Sequence, residues 1–202
     1  MKSIEDTLKT IRDIINILPV KASIALVGGY AAVIHGTQRT TIDVDFCIYS
    51  DIIKTSESRA FFDMLKKHLP ERFDIKFIEG SKIPDDPLKH DVIFIEDTEN
   101  EFVRIDFLIA RYKWELEAIE EAEVLKGIPV PVIAKPYLVA MKLMATGYKD
   151  ASDVISLINL MEDAEKKKTF ELAKRIGRDK KLAKLLLPPD EEIHELPGEY
   201  IP

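Results

Sequence analysis

Two carboxylates stand two residues apart in Thr41–Tyr49. There Ile42, Val44, Phe46 and Ile48 alternate with Asp43, Asp45 and Cys47. Strict alternation predicts a strand with one buried face. Asp43 and Asp45 then share a face, separated by roughly 7 Å along the strand. Like charges so placed repel each other and are costly to bury unpaired. A divalent cation relieves that repulsion, and hard oxygen donors suit Mg²⁺ or Mn²⁺. A third carboxylate, Asp106, lies between apolar neighbours in Arg104-Ile105-Asp106-Phe107-Leu108. Three carboxylates on two adjacent strands could hold two metal ions roughly 3.5–4 Å apart. Singly, each aspartate would read as a solvated residue on a strand face. Together they make a metal site the stronger expectation.

Gly28-Gly29 precedes Asp45 at the end of an apolar run, Ser23–Val27. Glycines at a strand-to-helix turn let the backbone approach a ligand, and the helix start offers N–H groups to phosphate. Neither a P-loop nor Gly-x-Gly-x-x-Gly is present. Arg39 could fork onto phosphate oxygens or pair with a site carboxylate. Thr40 and Thr41 lead into the Asp43 strand. His35 reads as a packed or capping residue rather than a base. Further on, Lys135, Lys142, Lys149, Asp150 and Asp153 form a second polar set. Lys142 is its candidate for a triphosphate contact, with a plain surface lysine as the alternative.

Positioning these residues requires an ordered set of elements. Met1–Leu18 has apolar residues at helical spacing and reads as an amphipathic helix. Ser23–Val27 is expected as a buried strand, Tyr30–His35 as a short helix stopped by Gly36, and Thr41–Tyr49 as the site strand. Glu57–His68 reads as a helix. Phe73–Ile78, Asp91–Glu96 and Val103–Ile109 read as strands, with Ser81–His90, containing Pro84 and Pro87, as a loop. Arg111–Lys126 is expected to be a helix closed by Gly127. From Lys135 the pattern is almost all helical, until a proline-rich tail after Leu187. The expected class is α+β with an α/β-type core: a small mixed β-sheet flanked by helices over residues 1–132. A helical region over 133–202 would pack on it.

The chain has 202 residues and a net charge of −7. Proteins that wrap nucleic acid are usually basic, so extended DNA is not expected as a partner. A single nucleotide is compatible, because metal ions can neutralise its phosphates. No basic start with an unbroken apolar centre marks a leader, and no apolar run approaches roughly 18 residues. The expectation is a cytoplasmic protein with no membrane partner. Cys47 is the only cysteine, read as a small buried hydrophobe. Asn and Gln are scarce while Lys and Glu are abundant, which hints at a thermophilic source. Lys166-Lys167-Lys168 and Lys180-Lys181 could meet RNA or an acidic partner, but a solvated helix face is the simpler reading. Trp114, Phe61, Phe62, Phe73 and Phe77 read as core.

The order Gly28-Gly29, His35-Gly36, Arg39-Thr40, Asp43-x-Asp45 resembles the first motif of the DNA polymerase β-like nucleotidyltransferase superfamily. Asp106 matches that superfamily's third carboxylate. The form Gly-Gly-x-Ala…His-Gly…Arg-x-Thr-x-Asp-x-Asp is similar to a small bacterial and archaeal branch. That branch includes the AbiEii-type toxins and minimal nucleotidyltransferases. The resemblance covers residues 23–49 and 103–109, and more loosely 135–160, where Lys149 stands at a frequent arginine. Gly29 occupies a place where many members have serine, so backbone N–H groups would have to hold the phosphate. The resemblance implies two Mg²⁺ ions and in-line attack on the α-phosphate of an NTP, with pyrophosphate leaving. Asp43, Asp45 and Asp106 would be catalytic and metal-binding. Gly28, Gly29, Arg39, Thr40 and Lys142 would bind nucleotide. The acceptor would be a hydroxyl on a small molecule, a tRNA or a protein. Two alternatives stay open: a toxin restrained by an antitoxin protein, and a non-catalytic nucleotide- or partner-binding module.

Overall fold

The computed structural model describes residues 2–55, 58–84, 89–145 and 147–187. The expected proline-rich tail lies outside these residues, as do Met1, Glu57 and Pro87. Helix α1 (Ile4–Ile17) begins at Ser3, whose hydroxyl accepts the Asp6 N–H while the Asp6 carboxylate accepts the Ser3 N–H. This reciprocal cap satisfies donors that the first turn leaves free. Leu8, Ile11, Ile14 and Ile15, on one stripe of α1, are buried. Strand β1 (Ala22–Val27) runs into α2 (Gly28–Ile34), and β2 (Asp43–Ser50) carries the first two aspartates. Helices α3 (Asp51–Thr55) and α4 (Ser58–His68) follow. Then come β3 (Phe73–Glu79), β4 (Asp91–Asp97) and β5 (Arg104–Ile109).

The sheet is mixed. With β6 (Glu123–Val124) and β7 (Pro131–Val132) it has 7 strands in the order β3-β4-β5-β2-β1-β7-β6. Parallel pairing joins β2 to β5, and antiparallel pairing joins β2 to β1 and β5 to β4. Strand β2 therefore lies inside the sheet with neighbours on both sides, as its run of apolar residues requires. Val44, Phe46, Ile48 and Phe107 are fully buried, and Cys47 is buried as well.

Several expected boundaries shift. The site strand starts at Asp43 rather than Thr41, and Ile42 is 86% exposed. The helix expected over Arg111–Lys126 is only α5 (Lys113–Glu120). Its apolar spacing continues through Val124 and Leu125, but those residues belong to a hairpin that extends the sheet. Gly127, with φ +83°, makes that turn, and β7 pairs with β1 through Leu26 and Val132. The loop Ser81–His90 begins inside a 3₁₀ turn, Gly80–Lys82. After β7 the described chain is helical: α6 (Lys135–Met144), α7 (Tyr148–Asn159), α8 (Asp163–Arg175) and α9 (Asp179–Leu186). Helix α6 contacts α2, α7 and α8. This brings the helical part over the glycine turn.

Candidate active site

Pairing of β2 with β5 sets the geometry. In that parallel ladder Asp45 lies opposite Asp106 and Asp43 opposite Arg104. Side chains of register partners point to the same face. Asp43, Asp45 and Asp106 each present a carboxylate oxygen within 4.8 Å of the others. The sequence-predicted trio is thus brought together, partly buried.

The three are not equally compensated. Arg104 donates from Nε to Asp106 Oδ1 at 2.9 Å and from Nη2 to Asp106 Oδ2 at 2.8 Å. The same Nη2 reaches Asp43 Oδ2 at 3.2 Å. Thr41 donates its hydroxyl to Asp43 Oδ1 at 2.8 Å. Asp45 has only the Gly29 N–H, at 3.4 Å from Oδ2. Burial, then the charges of Asp43 and Asp106, push the Asp45 carboxyl up to about 6. Burial also raises the Asp106 carboxyl, against the opposing pull of Arg104. This crowding of negative charge is what a cation would relieve.

Gly28 closes the other side. Its φ is +65°, and a Cβ there would stand 1.9 Å from Asp45 Oδ2. Only glycine lets the backbone pass so close to that carboxylate. Gly29 has no such angle; a Cβ there would meet Thr41 Oγ1 at 2.9 Å and Arg39 Nη2 at 3.0 Å. Between the sheet and α6 lies a cleft of about 330 Å³, bounded by Gly28, Asp45, Asp106, Phe94, Met141 and Lys142 among others.

Lys142 is not a surface lysine. It is buried and pairs with Asp150 at 3.2 Å and with Asp153 at 2.5 Å. Arg39 also donates to Asp153, so that buried carboxylate lies between two cations. Arg39 thus takes the ion-pair alternative, but with Asp153 rather than a member of the trio. Its guanidinium still lies against Gly29. Thr40 is exposed, and its carbonyl accepts a long contact from Arg39 Nε at 3.5 Å. His35 contacts the Ile133 carbonyl through Nε2 at 2.7 Å, and burial lowers its pKa. It ties the helix after the glycines to the start of the helical region, as a packed histidine. Lys135 bonds to the Leu160 carbonyl and to Glu165.

Arg104 is the internal partner of the carboxylates that the sequence allowed, whereas the hydrogen bond of Thr41 to Asp43 was missed. Both flank the motifs, and the alternation that placed Asp106 also puts Arg104 on its face. The basic C-terminal helices are engaged within the fold at several points. Lys168 bonds to Glu121, Arg175 pairs with Glu117 at 2.5 Å, and Lys181 donates to the Leu143 carbonyl at 2.9 Å. Trp114, Phe61, Phe62 and Phe73 are buried, and Phe77 stacks on Phe62. No helix among the described residues is long and apolar enough to cross a membrane.

Comparison with known proteins agrees with this architecture. An antigenic nucleotidyltransferase-like protein from Paracoccidioides brasiliensis superposes with a TM-score of 0.50 at 15% identity, covering 95% of this chain and 96% of that one. That likeness shows the fold. ANT(2")-Ia, in complex with adenylyl-2"-tobramycin, gives 0.48 at 14% identity over 84% of this chain and 98% of its own. No curated protein matches the sequence significantly. The family described as nucleotidyl transferase AbiEii toxin, Type IV TA system, matches residues 12–200. The chain belongs to that family and is a nucleotidyltransferase.

Proposed function

We propose that this AbiEii-family nucleotidyltransferase moves an NMP from an NTP to a hydroxyl of its acceptor, at the Asp43–Asp45–Asp106 cluster. The observation that carries this reading is the convergence of three carboxylates from two adjacent strands beside the Gly28 turn. The donor set is all carboxylate oxygen, which fits two Mg²⁺ or Mn²⁺ ions. Bound there, the ions would neutralise the triphosphate and polarise the α-phosphate. Asp43 and Asp45 would hold both ions, and Asp106 the acceptor-side ion. Asp106 would also take the acceptor's hydroxyl proton. Backbone N–H groups at Gly28 and Gly29 would hold phosphate, flanked by Arg39 and the exposed Thr40. Lys142 reaches the same cleft from α6, held by Asp150 and Asp153. It would place a positive charge toward the triphosphate.

In this reading residues 1–132 are the catalytic core, and the region 133–202, helical where it is described, packs on it. The family's description as a Type IV TA toxin supports an antitoxin protein as a partner, and the acceptor would carry its hydroxyl on a small molecule, a tRNA or a protein. Incubation with each of four α-labelled NTPs, Mn²⁺ or Mg²⁺, and fractionated cell extract tests the proposal. Label should move into one acceptor fraction with release of pyrophosphate. Transfer of γ-label in place of α-label would contradict it.

A further inference from the structure

Arg104 stands where the metal-binding oxygens are. Its guanidinium engages both oxygens of Asp106 and one oxygen of Asp43. Those carboxylates are two of the three that could hold an ion. A divalent cation and a guanidinium cannot share the same lone pairs at full strength, so the two compete. The competition is lopsided. Asp45 has no cation in contact and only a long N–H partner, whereas Asp106 is clamped by two hydrogen bonds to one guanidinium.

Arg104 is also built to move. Its side chain is 44% exposed, against 14% for Asp106. Its guanidinium lies 5.5 Å from the Phe94 ring on the neighbouring strand, a face over which a cation can slide. Pairing of Ile95 with Ile105 sets Glu96 across from Arg104. Glu96 and Arg104 border a common cavity on the side away from the glycine turn. Glu96 accepts from Lys76 Nζ through Oε2 at 3.2 Å, which leaves its second oxygen to receive a guanidinium released from Asp106.

We propose that Arg104 is a displaceable counter-ion that guards Asp106, so that the acceptor-side ion loads only when this side chain swings toward Glu96. The inference rests on the metal-binding reading given above. It makes Arg104 a positioning residue that orders events: the ion at Asp43 and Asp45 comes first, and the ion at Asp106 second. Binding of Mn²⁺ alone, followed by the electron paramagnetic resonance signal of free Mn²⁺, tests it without any turnover. Arg104→Met keeps an unbranched apolar side chain and removes the charge. It should bind Mn²⁺ on the order of tenfold more tightly than the wild type. Arg104→Lys, which keeps the charge but loses the fork, should fall between them. Removing a remote exposed positive charge with Lys9→Met should give no such gain, whereas a general charge effect would raise the affinity there as well. Melting curves confirm that each variant is folded. Equal or weaker Mn²⁺ affinity in Arg104→Met would overturn the role of Arg104 while leaving the metal site standing. Failure of wild type and variant alike to bind Mn²⁺ would remove the metal site and this inference together.

Discussion

Asp45 sits between Asp43 and Asp106 with one long N–H contact, and this makes the protein's stability depend on pH in a particular direction. Its carboxyl, ordinarily at 3.8, is pushed up to about 6 by burial and by its two acidic neighbours. The folded state therefore holds a proton that the unfolded state has already released between about pH 4 and pH 6. Without divalent metal, this group's contribution should favour the fold at the acid end of that window and fade as pH rises through about 6. The change should be on the order of 2 kcal/mol. Asp45→Asn should flatten this component. Urea unfolding from pH 4.5 to 7.5 in EDTA, wild type against variant, measures it. A wild type no less stable at pH 7.5 than the variant would show that Asp45 is compensated after all. The Asp97 carboxylate works in the opposite sense. Arg72, together with backbone N–H groups of Phe102, Glu101 and Glu99, holds it far below the usual carboxylate range. Its contribution is lost as pH falls below about 4, so the window chosen separates the two groups.

At the level of elements, β2 and β5 bring the trio together, while α6 and α7 supply buried Lys142 and Asp153 with half-buried Asp150 beside them. Asp153 also holds Arg39, so one carboxylate fixes two cations beside the glycine turn. Removing it should be worse than removing either cation. Asp153→Ala is expected to cost about 3 kcal/mol, because a buried pair loses its shared partner. Lys142→Met leaves Asp153 paired with Arg39 and should cost clearly less. Denaturant midpoints of the two variants decide the order, and a larger loss in Lys142→Met would reverse the assignment. Much of this level could be read from the chain. The alternation around Asp43 and Asp45 marked a strand with both carboxylates on one face, and the Arg104–Leu108 pattern marked its partner. The adjacency of β2 and β5 is expected from the chemistry of the three carboxylates and not from the strands' own pattern, because strand pairing is a long-range choice. The two-residue strand β6 is too short to show a period, so the apolar spacing there reads as a continuation of the helix to Lys126. Lys142 reads from the sequence as a surface lysine as readily as a triphosphate contact, and neither reading includes its burial. Its burial depends on Asp150 and Asp153 folding back from the next helix.

Across the whole molecule the charge balance sets the order of binding. A chain of net charge −7, with three carboxylates converging beside the glycine turn, should repel a bare triphosphate. Metal and NTP should therefore stabilise the fold together far more than either does alone. The family, the fold and the convergence of the aspartates all bear on this one expectation. The most direct measurement is the melting temperature at pH 7.5 of wild type and Asp45→Asn, each with no addition, with Mg²⁺, with NTP, and with both. Wild type should rise by several degrees only with both present. Asp45→Asn should start at or above the wild-type value, because one repelling charge is gone, and should gain nothing from Mg²⁺ and NTP. An Asn variant that melts well below wild type without metal, or that is stabilised by Mg²⁺ and NTP as fully as wild type, would contradict the account. Asp45 would then be a structural carboxylate, and not a holder of metal.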